Sequence, residues 1–150
     1  MPGPGRVPRT CRSAANTAAG IASLGGRGAF IGKVADDEFG RIFRHDIGAA
    51  GVAFNTAAAE NSNLATSRSL ILVTPDGQRT MNTYLGASSL LGVGDVDDAT
   101  ITEGKVLYME GYLYDRPEAK EAFRHAAGVA HEAGRMVSLT LSDSFCVERH

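Results

Sequence analysis

The sequence predicts an α/β fold built on a parallel sheet. Three segments carry that expectation. Lys105–Leu113 is a near-continuous apolar run, Asp115–Gly134 has helical periodicity, and Met136–Leu141 is a second apolar run. Together they read as a strand–helix–strand unit, which demands parallel strands and a right-handed crossover. Ser67–Thr74 and Arg79–Leu85 flank Pro75-Asp76-Gly77-Gln78, the chemistry of a tight hairpin turn. Asp36, Asp37 and Glu38 precede Phe39, Ile42, Phe43 and Ile47, an acid-opened helix with one apolar face.

In chain order, residues 1–12 mix Pro2, Pro4 and Pro8 with Arg6, Arg9 and Arg12 without periodicity, and are expected to form a disordered lead-in. Residues 13–150 are expected to form one partial domain. Residues 15–24 form an Ala-rich helix whose small side chains allow close backbone packing, with the amide of Asn16 in its first turn. A Gly25-Gly26 turn leads to a strand over Gly28–Val34. Asp36 is the expected N-cap of the next helix, and Gly51 ends it. Val52–Phe54 reads as a short strand, and Val93–Thr102 as an acidic loop. The run 105–113 is expected to be buried on both faces. Pro117 suits the first turn of the following helix, whose apolar positions are Ala119, Ala122, Phe123, Ala126 and Ala130. The chain stops soon after a strand, and so reads as cut.

Composition narrows the function. Hydrophobic content of 43% and charged content of 21% are ordinary for a globular domain, and the net charge of −2 offers no field for nucleic acid or an anionic membrane. No apolar run approaches the ~18 residues of a membrane span, and residues 1–12 lack the apolar core of a signal peptide. Cys11 and Cys146 have no C-x-x-C spacing, so neither a disulfide framework nor a metal site is expected, and a cytoplasmic setting is. Gly32-Lys33 is no P-loop, because Arg27 replaces the first glycine and Val34 the Ser/Thr. Gly92-Val93-Gly94 lacks the third glycine of a dinucleotide fingerprint. His45, His125, His131 and His150 are expected at the surface.

Ser13-Ala14-Ala15-Asn16-Thr17-Ala18-Ala19-Gly20, followed by Gly25-Gly26 and Gly32-Lys33-Val34-Ala35-Asp36-Asp37-Glu38-Phe39-Gly40, resembles the first signature of the ribokinase-like (PfkB) carbohydrate and nucleoside kinases. The likeness is strongest to their bacterial adenosine kinase-like branch. Thr74–Ala87 (strand, acidic turn, Arg79, then Gly86-Ala87) and Tyr108-Met109-Glu110-Gly111-Tyr112-Leu113 add to it. The resemblance covers residues 13–150. It implies a three-layer α/β/α sandwich with a small β lid, incomplete in this chain, and the N-terminal part of an ATP-dependent, Mg²⁺-dependent kinase acting on a sugar or nucleoside hydroxyl, adenosine first.

Three side chains are candidate substrate contacts by resemblance. Asn16 would contact sugar hydroxyls, or be a capping amide. Arg79 would lie near the phosphate path, or be a solvated hairpin charge. Glu110 would face substrate at a strand end, or sit at an exposed edge. The turn Ser142-Asp143 is a binding loop or an ordinary helix cap. The family pattern places a glycine pair where Cys11 and Arg12 stand. Its opening strand with an early Asp, its N-x-x-E motif and its Gly-Ala-Gly-Asp, which supplies the anion hole and the catalytic base, have no counterpart here. The chain is therefore expected to carry no catalytic residue and to be inactive alone. The alternative is a non-catalytic module that binds a partner or self-associates through an exposed sheet edge.

Overall fold

The computed structural model describes residues 13–150; the expectations for 1–12, Cys11 and Arg12 included, lie outside the described residues. Helix α1 (Ser13–Ser23) buries Ala15 and Ala18 and rests on β1 (Gly28–Ala29), β2 (Val52–Ala53) and β5 (Val106–Glu110). Small residues make this approach close: a Cβ on Gly28 would stand 3.2 Å from the Ala18 carbonyl oxygen. β1 pairs with β2 in parallel over two residues, a shorter strand than the 28–34 expected. Beyond it the chain continues extended to a single bridge between Ala35 and Ala59.

α2 (Glu38–Ala49) is capped by Asp37, whose carboxylate accepts from the Gly40 N–H at 2.8 Å. The expected cap, Asp36, instead lies exposed beside Arg41 at 3.3 Å. Phe43 and Ile47 turn inward as the periodicity requires, whereas Phe39 is half exposed. The rings of Phe30, Phe43 and Phe54 meet edge-on with centroids 5.4 to 5.6 Å apart, closing a core with Ala15, Ala18, Val34 and Val52. Arg44 ties this core to the following loop by donating to the carbonyls of Phe54 (3.1 Å) and Thr56 (2.7 Å).

β3 (Arg68–Val73) and β4 (Arg79–Tyr84) form the expected antiparallel hairpin, with Arg68 opposite Tyr84 and Val73 opposite Arg79. Gly77 takes the positive φ (83°) that its turn requires. The ribbon projects with both faces open: Leu70, Leu72, Val73 and Met81 are all more than half exposed. The segment 93–102 is not a loop. It forms a single 3-10 turn at Val93–Asp95 and then α3 (Asp98–Glu103), capped by Asp97 and anchored by Ile101.

β5 and β6 (Met136–Thr140) pair in parallel, Val106 opposite Met136 and Glu110 opposite Thr140, and α4 (Pro117–Glu132) crosses between them. Ala119, Ala122, Ala126 and Ala130 are buried as expected, while Phe123 stacks edge-on against Tyr114 at 5.6 Å. Two expectations fail here. The strand ends at Glu110 and not Leu113, because Gly111 turns the chain into a 3-10 turn. The sheet is covered mainly on one face: Leu107 and Val137 pack under Ile101, Ala126 and Ala130, but Val106, Tyr108 and Met136 on the other face stay 42–64% exposed. α5 (Ser144–Arg149) closes the described chain.

Candidate functional site

The carboxyl ends of β5 and β6 bring polar groups together, as the ends of parallel strands do in open α/β sheets. Glu110 ends β5 half-buried, and its Oε1 is enclosed with no hydrogen-bond partner among the described residues. A sheltered carboxylate oxygen without a donor is costly, and so marks a place built to receive one. Gly111 permits the crowding beside it: a Cβ there would lie 3.2 Å from the Leu141 carbonyl oxygen. Tyr112 donates to the Ser142 carbonyl at 3.3 Å. Burial raises the Tyr112 phenol above its ordinary 10.0, and the charges of Asp143 and Glu110 push the same way. Ser142 holds a left-handed φ of 69°, a strained turn that sets Asp143 at the start of α5.

Asn16 occupies the fourth position of α1 and is exposed, so it closes the first turn and does not cap the helix. Its helix touches β5, the strand that bears Glu110. Arg79 is not part of this group. It stands exposed at the turn end of the ribbon, about 17 Å along β4 from the point where the strand rejoins the body at Tyr84. The arginine nearer the body is Arg68, whose guanidinium lies 5.3 Å from the Phe39 ring and 5.8 Å from that of Tyr84. Sequence reading missed Tyr112 and Arg68.

Two open clefts flank the ribbon base and α3. The larger, about 550 Å³, carries Asp36, Asp37 and Glu60 with Asn61 and Asn63; the smaller carries Asp95 and Asp97. Neither lining presents a lysine or arginine. An acidic wall repels a triphosphate, so these residues do not fit ATP. Among the described residues no group of three His, Cys, Asp or Glu is placed to hold a metal ion, and most of the acids here are already engaged: Asp36 pairs with Arg41, Asp37 caps α2, Asp95 pairs with Lys33 and Asp97 caps α3. They do not fit Mg²⁺ either. No described helix is long and apolar enough to cross a membrane.

Comparison with known proteins places this arrangement. The model of the pfkB family carbohydrate kinases matches residues 13–147. Among solved structures, adenosine kinase from Sinorhizobium meliloti is 57% identical with a TM-score of 0.86, over 92% of this chain and 42% of that one. A probable sugar kinase from Rhizobium etli CFN 42 is 54% identical with a TM-score of 0.85, over 91% and 41%. Probable fructokinase-4 of Arabidopsis thaliana is 32% identical over 142 residues, 90% of this chain and 42% of that protein. The expected ribokinase-like α/β/α fold is borne out, and the chain spans about two fifths of the length of these relatives.

Proposed function

The chain belongs to the pfkB family of carbohydrate kinases, and we propose that it forms the N-terminal, substrate-holding part of a nucleoside kinase, with adenosine as the preferred ligand. The observation that carries the proposal is the enclosed, unpartnered Oε1 of Glu110 at the carboxyl end of β5. A ribose hydroxyl is a donor of the size and polarity that this oxygen lacks. The 57% identity to an adenosine kinase favours a nucleoside over a free hexose. Asn16, on the helix against β5, supplies a second contact to the sugar, and the β3–β4 ribbon is the lid. Arg79, at the ribbon tip, reaches the phosphate path only when that lid is down. ATP and Mg²⁺ belong to the family's reaction, but the described residues do not fit them, and no step of transfer is drawn through them.

The test uses this chain joined to the remaining part of the Sinorhizobium enzyme, with glycines at positions 11 and 12. Calorimetry is expected to show adenosine binding, and Glu110→Ala to weaken it about five- to hundred-fold, the loss of a buried hydrogen bond to a charged group. The same substitution should raise the melting temperature of the unliganded protein, since it removes a sheltered carboxylate without a partner. Equal affinity in the two proteins would remove Glu110 from the site.

The ribbon favours a second property, self-association. Leu70, Leu72, Val73 and Met81 expose an apolar surface on a two-stranded element that is marginal alone. Sedimentation of the 150-residue chain is expected to show concentration-dependent dimers or larger species, reduced by Leu72→Lys. A monomer at all concentrations would count against this.

A further inference from the structure

Both legs of the ribbon leave the body through one small joint. Thr66, only 4% exposed, precedes β3, and its backbone N–H donates to Asp37 Oδ2 at 2.8 Å. Its hydroxyl donates to Asp37 Oδ1 at 2.6 Å while accepting from the Ala35 N–H at 3.0 Å. The other leg ends at Gly86, with φ of 48°, and the next N–H, of Ala87, donates to the Ala65 carbonyl at 2.9 Å. A Cβ on Gly86 would stand 2.1 Å from that same carbonyl oxygen. Asp37 thus does more than cap α2. It holds the residue through which β3 enters, and the neighbouring Ala65 holds the residue through which β4 returns.

We propose that Asp37 and Thr66 are positioning residues whose clasp fixes the point and direction at which the β3–β4 ribbon leaves the body, and so governs how it closes over the ligand pole. The purpose assigned to the clasp rests on the reading of the ribbon as a lid; its existence does not. Charge strengthens it. Burial of Asp37 opposes ionisation, but the Thr66 hydroxyl and N–H, the Gly40 N–H and the nearby Arg68 outweigh it and hold the carboxyl below its ordinary 3.8. The clasp is therefore a carboxylate clasp at neutral pH. A cap alone has no need of Thr66: Asp97 caps α3 by accepting from Ala99 and Thr100 within the same turn.

Hydrogen exchange on the 150-residue chain, read without ligand, separates the two roles. Thr66→Val removes the hydroxyl and leaves the α2 cap in place. It is expected to speed exchange of the Ala87 N–H and of the ribbon amides 69–72 and 80–83 about tenfold, while the α4 amides 122–130 keep their rates. Thr66→Ser restores the hydroxyl and should return exchange to the parent rates. Asp37→Asn, which puts an NH₂ or a weaker acceptor against the three donors that Asp37 accepts from, should match Thr66→Val. Asp97→Asn should loosen α3 alone. Ala87 decides the question, because it bonds to neither clasp side chain. Should Thr66→Val leave Ala87 and the ribbon unchanged, should Thr66→Ser behave like Thr66→Val, or should every amide accelerate equally, the clasp does not position the ribbon. The Thr66 pair carries the test even if Asp37→Asn fails to fold, and a chain that binds no nucleoside still tests it.

Discussion

Purified, the 150-residue chain is expected to transfer no phosphoryl group from ATP to adenosine or fructose above a protein-free blank. Phosphoryl transfer depends on positioning, on donors aimed at the charge developing on the phosphoryl oxygens, and on a base at the attacking hydroxyl. A positioned base contributes roughly 10²–10⁴-fold, and each preorganised donor roughly 10²–10³-fold. The sequence contains no Gly-Ala-Gly-Asp to supply either, and neither open cleft carries a lysine or arginine that could hold a triphosphate. Their absence together removes more than any assay could miss. Joining the chain to the missing part of a related kinase should restore activity, because Asn16 and Glu110 would then meet the groups they lack. The measurement is a coupled ADP assay with Mg²⁺ present. Turnover that co-purifies with the chain and disappears in Glu110→Ala would overturn the expectation, and would make that unpartnered carboxylate the base.

What the sequence revealed and what it hid follow from the range of the forces involved. The hairpin was legible because Pro75-Asp76-Gly77 sets its turn within four residues, and Gly77 adopts the conformation the turn needs. The β5–α4–β6 unit was legible because four alanines at helical spacing line the buried face of α4. The short α3 was hidden: its acidic composition suggests a loop, and one cap with one anchor, Ile101, sustains it. The cap of α2 was misassigned by one residue because Asp36 and Asp37 are equivalent locally. Thr66, 29 residues on in sequence, selects Asp37. At the site, Glu110 was legible as a carboxylate in an apolar run. Tyr112 was not, since the strand was read through Gly111, where the chain turns. The burial of the sheet was overestimated for a related reason. An apolar strand announces that two faces are covered somewhere, and not that the covering layers lie within these residues.

Two glycines in one helix should respond to the same substitution in opposite directions. Gly40 and Gly48 both lie in α2, where alanine is the better helix former by about 0.8–1 kcal/mol. A methyl group added at Gly48 would have nothing within 4 Å, so Gly48→Ala should keep that gain, raising stability by about 0.5–1 kcal/mol and the melting temperature by a few degrees. At Gly40 the methyl would meet the Ala35 carbonyl oxygen at 2.0 Å and the Thr66 hydroxyl at 3.1 Å. The first is backbone and cannot swing away as a side-chain end does. Relieving the clash means shifting the 35–37 segment, which loosens the Asp37 cap and the Thr66 bonds at once. Overpacking of this kind costs about 1–3 kcal/mol, and the lost hydrogen bonds add to it. Gly40→Ala should therefore destabilise the chain despite its helix propensity, by about 1–3 kcal/mol or more, a large share of an ordinary domain's marginal stability, and lower its melting temperature by several degrees. Thermal and urea melts of the parent and both variants read the signs directly. A Gly40→Ala chain as stable as the parent would mean that α2 does not approach Ala35 as closely as the fold requires.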